Sequence, residues 1–596
     1  MKRKGFTLIE LLAVIVILSV IALITTPMIL NIIEETRKKA SIESVNGILD
    51  AAEKYEITSM LEGEETRRFE FPNEKLQYKG TKPESGTLII DEEGNTSITV
   101  LINGYCVRKR FNETTPSVIE EKNCTIEDSE LIYAERYKEE ILNGAYPEIK
   151  NELIPVTIES NGTVTYADIR KEWYSYKNKV WANAVILKDN VTHSVGEVIP
   201  ESDIKQYYVW IPRYKYELWN VNGENKYPNG TSSESAINIV FESKDKETSN
   251  GTENGEWLTH PAFTSFNTNG IWVGKYETSY DEETYTDTSK FLTTNPNYTA
   301  ATNASNIIIK PNVRSLTYKT VSEFYTLGRG INEGLNSHMM KNSEWGAVAY
   351  LTYSLYGKCT ETGCEEIYLN NINTGYLNST KKFDNQWEYS GSITGCSAST
   401  VASTVNSNQT SCSSGYAYNE ANNKASTTGN ISGIYDMSGG NWEYVMGVLK
   451  DSNELPMSGR NNKYNSGFNG TYGCPTCDSD TSGLTILTTG INFPIDPRYY
   501  DLYTAISTDL GDDTWYKYEN GHLGDATKEI AVSKSNASSG DRGLWYSEYA
   551  KFPAMFGPWD RRSGNFNDGV GAGVFYFFRG YGQANESGTF RVVLAY

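Results

Sequence analysis

Apolar residues are concentrated at the start of the chain. Residues 6–30 read FTLIELLAVIVILSVIALITTPMIL, a nearly unbroken apolar run of the length that a membrane-spanning helix needs, roughly 20 residues. Further along, apolar and aromatic positions recur at three- and four-residue steps, at Ile42, Val45, Ile48, Leu49, Ala52 and Tyr55. That spacing places them on one face of a helix. The pattern predicts one long helix over residues 6–57, with a kink at Pro27.

Beyond residue 57 the apolar positions alternate, as they do in strands. Alternating runs flank Glu93-Gly94-Asn95 and again Asn161-Gly162, so a hairpin is expected at each. A long helix followed by β-rich segments predicts an α+β fold. The expected divisions are a leader at 1–5, the helix at 6–57, a small head at 58–128, a charged linker at 129–146, a small β-rich module at 147–225 and a larger domain at 226–596.

The module at 147–225 is rich in large aromatic residues. They suit two roles, the core of a small β domain or a platform on which sugar rings stack, and the core role is the commoner one. These residues are Trp173, Trp181, Tyr207, Trp210, Tyr214 and Tyr216.

The formal net charge of the chain is −21. Binding to nucleic acid or electrostatic docking on anionic lipid requires clustered Lys and Arg, so neither function is expected. The excess of acidic residues instead predicts a solvated, self-repelling outer surface.

The eight cysteines fall into local pairs, which predicts disulfides that close short loops in an extracytoplasmic protein. The expected pairs are Cys106–Cys124, Cys359–Cys364, Cys396–Cys412 and Cys474–Cys477. The last pair is also a C-x-x-C motif, so redox chemistry and metal binding are open alternatives to a loop disulfide.

The start of the apolar run carries one acidic residue, Glu10, preceded by Lys2, Arg3 and Lys4. A carboxylate in an apolar helix costs several kcal/mol unless a partner neutralises it. The segment KGFTLIE resembles the signal of type IV prepilins, with Gly5 before the cleavage site, Phe6 after it and Glu10 four residues on. This resemblance covers the first 50 or so residues.

The prepilin resemblance implies a processing and assembly sequence. A prepilin peptidase would cut between Gly5 and Phe6, and the new amine of Phe6 would be methylated. Glu10 would then pair with the Phe6 amine of a neighbouring pilin subunit, since each buried charge offsets the desolvation of the other. The expected location is the bacterial membrane, through the N-terminal helix, before assembly and the pilus at the cell surface afterwards.

Four later segments resemble, in the same order, the sulfatase-modifying-factor proteins, which have a C-type-lectin-like fold. They are WVGKYETS (272–279), KNSEWGAVAYL (341–351), GIYDMSGGNWEYVMG (433–447) and TFRVVLAY (589–596). The third departs from the usual pattern at Gly440 and Asn441. Arg591 in the terminal strand is expected to be a structural ion-pair partner.

Catalysis is not expected of this chain. The formylglycine-generating members of that family use a late pair of reactive cysteines with copper, and no cysteine follows Cys477. Related iron enzymes need three histidine ligands, whereas the four histidines here, at 193, 260, 338 and 522, are scattered. No cofactor is therefore expected. Calcium stays open, because acidic residues occur at Asp478, Asp480, Asp509, Asp512 and Asp513 without a regular loop motif.

The end of the chain, from Phe556 onward, resembles the variable segment of proteins diversified by retroelements. A Gly-rich frame there carries aromatic, arginine and polar residues, which is typical of a binding face built from rigid anchors on adaptable spacers. The candidate ligand-binding residues are Trp559, Asp560, Arg561, Phe566, Asp568, Phe578, Arg579, Tyr581 and Gln583.

Three functions follow from these observations. The first is a minor pilin with a non-catalytic, adhesin-like head that binds a surface protein or glycan, with a face that is open to hypervariation. The second is a pilus-displayed metal-dependent oxidase of the formylglycine-generating type. The third is a structural pseudopilin of a secretion or DNA-uptake machine.

Overall fold

A computed structural model shows two compact units, Met1–Glu139 and Glu140–Tyr596. Their boundary falls inside the predicted linker at 129–146. The structure describes residues 8–62, 68–73, 75–90, 95–111, 113–119, 124–126, 143–150, 152–169, 171–245, 248–280, 303–372, 382–383, 386–387, 392–401, 412, 422–451, 453–473, 486–487, 489–504, 521–532, 542–585 and 587–596.

The first unit is built on one long helix, α1 (Leu8–Glu62). It ends five residues later than predicted, because the residues after 57 include good helix formers and Gly63 follows the last turn. The predicted inward face is confirmed: Val45, Ile48 and Ala52 are fully buried against the sheet of this unit. Among the described residues, no helix has both the length and the apolarity required to cross a membrane.

A five-stranded antiparallel meander covers that helical face. Its strands, in spatial order, are β1 (Arg68–Phe71), β2 (Ser85–Ile90), β3 (Thr96–Ile102), β4 (Tyr105–Lys109) and β5 (Ser117–Ile119). The predicted β2–β3 hairpin is confirmed. A second hairpin joins β3 to β4 through Asn103 and Gly104, both at positive φ, as a two-residue turn requires. Asn103 also donates a hydrogen bond to Ser41 of α1 (3.0 Å).

The second unit is β-rich and contains several sheets in its described part. Its strands are β6 (Ile154–Ile158), β7 (Val164–Tyr166), β8 (Asn183–Leu187), β9 (Ile204–Pro212), β10 (Tyr214–Glu217), β11 (Ile239–Phe241), β12 (Trp257–Thr259), β13 (Gly270–Gly274), β14 (Ser279–Tyr280), β15 (Ile307–Ile308), β16 (His338–Met339), β17 (Cys359–Thr360), β18 (Gly363–Cys364), β19 (Lys382–Phe383), β20 (Gln386–Trp387), β21 (Trp442–Lys450), β22 (Met457–Gly459), β23 (Gly470–Tyr472), β24 (Ile486–Leu487), β25 (Asp501–Thr504), β26 (Trp559–Ser563), β27 (Gly573–Gly580), β28 (Gly588–Phe590) and β29 (Val592–Leu594).

In the described part of this unit, two larger sheets and two helices organise the fold. A seven-stranded antiparallel sheet has the order β16-β29-β13-β9-β8-β6-β7, and a five-stranded mixed sheet is built around β21, β26 and β27. The helices are α2 (Val321–Ile331), which begins with a capping box between Thr320 and Glu323, and α3 (Asn342–Thr352). Every residue of α3 is buried, so this helix lies inside the core.

The boundary that the sequence predicts at 225/226 does not separate two folding units. Strands β6 to β9, from the predicted module, share the seven-stranded sheet with β13 and β29 from the predicted larger domain. Their side chains form one continuous core, from Leu153 to Ala595. The aromatic residues of 147–225 belong to this core: all six are at most 5% exposed, so they form no sugar-stacking platform.

Candidate functional site

The predicted processing site lies outside the described residues, since these begin at Leu8. Glu10 lies near the start of α1, and only its backbone is described. From Leu8 to Ile33, the described large apolar side chains of α1 are exposed in the isolated chain. A helix with such a surface requires an apolar environment or other apolar helices around it.

Three of the four segments that resemble sulfatase-modifying factors meet at Arg591. Its guanidinium pairs with Glu443 (Nε to Oε2 2.9 Å) and donates to the carbonyl oxygens of Gly274 (2.8 Å) and Tyr435 (3.0 Å). Met340, the residue just before the segment 341–351, adjoins them: its N–H donates to the Arg591 carbonyl and its own carbonyl accepts from Met446. The predicted structural role of Arg591 is therefore confirmed.

The structure gives a reason for Gly440 and Asn441, the positions at which the third segment departs from the pattern of sulfatase-modifying factors. Gly440 is at φ +72°, and a Cβ there would lie 2.3 Å from Oε1 of Glu277. That same oxygen accepts from the N–H of Asn441 (2.7 Å), and the other carboxylate oxygen accepts from Ser392 (3.1 Å). Burial, with the neighbouring charge of Asp436, raises the pKa of Glu277 well above its usual range. This network sits inside the protein and holds the segments together.

A hairpin near the chain end builds the outer part of the second unit. Strands β26 and β27 are antiparallel, with Arg561 opposite Phe578. Along β27 the side chains alternate between faces: Phe575 and Phe577 are buried in the core, while Tyr576 and Phe578 stack on each other with their ring centres 6.1 Å apart. This two-residue period points both rings to the side opposite Phe575 and Phe577, and of the two Phe578 is partly exposed while Tyr576 is buried.

On that side, arginine and aromatic side chains lie in contact. The guanidinium carbon of Arg561 lies 4.1 Å from the ring centre of Trp442 and 5.5 Å from that of Phe578. Arg561 also donates from Nη2 to the carbonyl oxygen of Arg579 (2.9 Å), which fixes its position. Trp442 donates from Nε1 to Oδ2 of Asp568 (3.0 Å).

The contacts continue from Phe578 to two further cations. Lys551 Nζ lies 5.2 Å from the centre of the Phe578 ring. On the other side, Tyr549 is 6.1 Å from Phe578, and Arg542 stacks on Tyr549 at 4.0 Å. We call these partly exposed residues the arginine–aromatic cluster; its members are Trp442, Arg542, Tyr549, Lys551, Arg561 and Phe578.

A glycine makes the approach of Tyr549 and Arg542 possible. A Cβ on Gly571 would lie 2.2 Å from the Tyr549 ring and 2.9 Å from an Arg542 nitrogen. The backbone also joins these segments, because the N–H of Tyr549 donates to the Gly571 carbonyl (2.8 Å). Gly571, which belongs to the Gly-rich frame, thus leaves the space that the Tyr549 ring and Arg542 occupy.

The structure corrects three of the predicted ligand-binding residues. Trp559 is fully buried, stacks on Phe468 and donates to the carbonyl of Ser458, so it is a core residue. Asp560 is also fully buried, and Phe566 is 7% exposed. Because neighbouring strand residues point to opposite faces, Asp560 faces inward where Arg561 faces outward. None of these three side chains lies on the outer surface.

The other six predicted residues are partly exposed. Arg561 and Phe578 belong to the arginine–aromatic cluster, and Asp568 adjoins it through Trp442. Arg579 and Tyr581 lie apart from it, since Arg579 stacks on Phe556 (4.2 Å) and Tyr581 packs on Tyr464 (5.6 Å). The structure shows no contact between the Gln583 side chain and the cluster within the described residues.

The cysteine predictions are confirmed where the structure describes them. Disulfides join Cys106 to Cys124, Cys359 to Cys364 and Cys396 to Cys412. Cys474 and Cys477 lie outside the described residues, as do the five aspartates considered for calcium. In the part of the chain that is described, no three His, Cys, Asp or Glu residues are placed to hold a metal ion.

Four members of the cluster were missing from the sequence prediction: Trp442, Arg542, Tyr549 and Lys551. Trp442 lies in the segment 433–447, where Tyr435, Met437 and Tyr444 are buried, yet Trp442 itself is partly exposed. The other three precede the segment considered variable. Their local signal is the aromatic and basic run RGLWYSEYAK (542–551) just before it.

One comparison with known proteins bears on the N-terminal segment. Residues 1–26 match the prokaryotic N-terminal methylation motif. This is the motif of a type IV pilin-like or pseudopilin subunit: a membrane-anchored precursor that prepilin peptidase processes and that assembles with other pilins. The apolar start of helix α1 lies within this motif. No curated protein matches the chain.

Proposed function

We propose that the chain is a minor type IV pilin-like subunit whose unit Glu140–Tyr596 is a non-catalytic, adhesin-like head. The observation that carries this proposal is the combination within one chain: a methylation motif at residues 1–26 and a large second unit that presents a partly exposed arginine–aromatic cluster. Aromatic and arginine side chains on rigid strands are the residue types that dominate binding energy at protein surfaces.

The N-terminal segment supplies assembly. We infer that cleavage leaves Phe6 at the start of the mature chain, that its amine is methylated, and that Glu10 pairs with this amine on a neighbouring subunit. The exposed apolar side chains between Leu8 and Ile33 support this inference, because helices in a filament core would cover them.

The size of the second unit bears on its position in the filament. A head of this size on every subunit would crowd a helical array, so we propose that the subunit occupies the tip. Immunogold labelling with an antibody against the second unit tests this directly. Labels confined to filament ends support the tip, and labels along the whole shaft contradict it.

For the second unit we propose a sulfatase-modifying-factor-like, C-type-lectin-like fold that has lost catalysis. The convergence of three of the four resembling segments on Arg591 supports the fold. Two of the four histidines already have carboxylate partners: His338 lies 2.9 Å from Glu344 and His193 lies 3.0 Å from Asp203. A pilus-displayed oxidase is the competing function. Purified protein that holds stoichiometric copper or iron would favour it.

Binding by the head is tested on cells. A strain in which the gene is replaced by the Arg561→Ala/Tyr549→Ala variant should assemble filaments normally and adhere less to its target surface than wild type. A Lys463→Ala/Tyr464→Ala variant, which also removes one cation and one aromatic from the second unit, is the matched control. Normal adhesion by the first variant contradicts an adhesin-like role of the cluster. Loss of secretion or DNA uptake with intact adhesion would instead favour a structural pseudopilin.

Hypervariation of the C-terminal face belongs to the same proposal. The partly exposed side chains of β26 and β27 stand on a frame in which Trp559 and Phe577 are core residues, so outward positions can change while the core is kept. A reverse-transcriptase gene beside this one, with a template repeat that matches the end of the chain, would support it. Identical sequences in many isolates would contradict it.

A further inference from the structure

We propose that the arginine–aromatic cluster binds a carboxylated polysaccharide, that is, a chain of sugars in which uronic or similar acidic residues recur. This inference rests on the proposed role of the second unit as a ligand-binding head and names the chemical class of its ligand.

The first reason is the way the cations are held. The guanidinium of Arg561 is covered on one side by the Trp442 ring at 4.1 Å, and that of Arg542 is covered by the Tyr549 ring at 4.0 Å. Stacking of this kind fixes the plane of a guanidinium. Arg542 donates from Nη1 to the carbonyl oxygen of Ser547 (2.7 Å), which leaves its Nε and Nη2 edge for a carboxylate that accepts two parallel hydrogen bonds. Nε of Arg561 is buried and its Nη2 donates to Arg579, so a carboxylate would reach Arg561 through Nη1.

The second reason is charge. The cluster carries three cations, Arg542, Lys551 and Arg561, on a chain whose formal net charge is −21. Ring contacts that run from Arg561 through Phe578 and Tyr549 to Arg542 hold the two arginines in one cluster. A local excess of positive charge on an otherwise acidic protein favours an acidic ligand at this place and repels it elsewhere.

The third reason is the mixture of groups, which fits a polysaccharide better than a nucleic acid. Oδ2 of Asp568 accepts from Trp442 and from the N–H of Asn565 (2.9 Å), while its Oδ1 accepts no hydrogen bond from the described residues. Acceptors among donors suit a ligand that offers hydroxyl groups as well as carboxylates. A nucleic acid carries a phosphate at every nucleotide, and its binding relies on many basic contacts, whereas three cations suffice for sparser carboxylates.

The experiment uses the full-length chain in detergent and measures its binding to immobilised polygalacturonate by biolayer interferometry. The matched ligand is fully methyl-esterified polygalacturonate, which has the same backbone without charge. We expect binding to the acid form only, weaker in high salt. Arg561→Gln and Arg542→Gln should each weaken it by about tenfold or more, because each removes a charge-assisted hydrogen-bond donor.

The matched control is Arg498→Gln. It removes the same charge from the second unit, but its guanidinium pairs with Asp496 at the surface and lies over the Phe266 ring at 5.3 Å, outside the cluster. We expect its binding to stay within about twofold of wild type, and circular dichroism should show that all three variants fold. Equal losses in Arg561→Gln and Arg498→Gln would overturn the proposal, because general charge would then explain binding. Equal binding to both ligands, or preference for a single-stranded oligonucleotide, would overturn it as well.

The experiments distinguish an incorrect ligand class from an incorrect proposed function. If the wild-type chain ignores polygalacturonate, yet the Arg561→Ala/Tyr549→Ala strain has lost adhesion, the head binds a ligand of another class and only this inference fails. If that strain adheres normally and the chain ignores polygalacturonate, both fail.

Discussion

Arg591 and Glu443 form a buried ion pair between residues that are far apart in sequence, with Nε and Oε2 2.9 Å apart. Arg591 lies just before the last strand, β29, and Glu443 lies in β21. The pair, with the two carbonyl bonds from Arg591, ties the end of the chain to the middle of the core. Removal of one partner leaves an uncompensated buried charge, which costs far more than a surface pair.

Arg591→Met should therefore lower the free energy of unfolding of the second unit by about 3–5 kcal/mol, since it leaves Glu443 unpaired. The control is Arg498→Gln. Arg498 pairs with Asp496 at the surface, so its loss should cost less than about 1 kcal/mol. Thermal or denaturant unfolding of both variants checks this. Similar small losses in the two variants would contradict the structural role of Arg591.

A second prediction concerns pH. Burial, together with the charge of Asp525, raises the pKa of Glu529 from its ordinary 4.5 to about 7. The folded protein thus holds this proton more tightly than the unfolded chain, so the stability that the proton confers is lost as pH rises toward 7. The free energy of unfolding that is lost in this way is on the order of 3 kcal/mol.

Glu529→Gln should remove most of the pH dependence of stability that Glu529 causes. The amide oxygen can still accept from the Tyr216 hydroxyl (2.7 Å) and the N–H of Gly524 (3.0 Å), while no charge is buried at high pH. The difference in Tm between pH 5 and pH 8 should therefore be smaller in the variant than in wild type. Glu333→Gln, at an exposed position, is the control. An unchanged difference in Glu529→Gln would show that another group dominates the pH dependence.

Gly571→Ala tests the frame beneath the arginine–aromatic cluster. The new Cβ would lie 2.2 Å from the Tyr549 ring, so Tyr549 must shift, and the cost should be about 1–3 kcal/mol. Gly334→Ala is the control, because a Cβ there meets nothing within 4 Å. Unfolding free energies and the fluorescence of Trp442 and its neighbours should change in the first variant only. Full stability in Gly571→Ala would show that the hairpin accommodates the methyl group.

Sequence patterns within short segments were sufficient to predict the features that depend on residues close together in the chain. The burial of Val45, Ile48 and Ala52 follows from helical spacing, and the disulfides follow from short separations between cysteines. The hairpin at Asn103 and Gly104 is not among the sequence predictions, although its Asn-Gly signal stands in the sequence.

Pairings between distant segments could not be predicted from local patterns. The pairing of β9 with β13 joins residues 147–225 to the rest of the core, and β29 follows between β13 and β16. Packing between distant strands also decides on which side of the sheet each side chain of β26 lies. Trp559 and Arg561 both read as anchors in the sequence, but only the structure shows that Trp559 stacks on Phe468 inside the protein.

Glu10→Gln tests assembly. A neutral side chain has no charge to pair with a subunit amine, so filament incorporation should fall at least about tenfold, while cleavage and membrane insertion continue. Glu34→Gln is the control, because Glu34 forms an exposed pair with Lys38 on the same helix and should assemble normally. Quantitative immunoblotting of sheared filaments against membranes measures the ratio. Normal incorporation of Glu10→Gln would contradict the assembly role of this residue.

The central claim is that the chain is a processed pilin-like subunit, and its mature N-terminus tests this most directly. Mass spectrometry of the N-terminal peptide, from protein isolated with surface filaments, distinguishes the outcomes. The account predicts a peptide that begins at Phe6 and carries one added methyl group on its amine. A chain that still begins at Met1, or that is absent from filaments in cells that express it, would contradict the account.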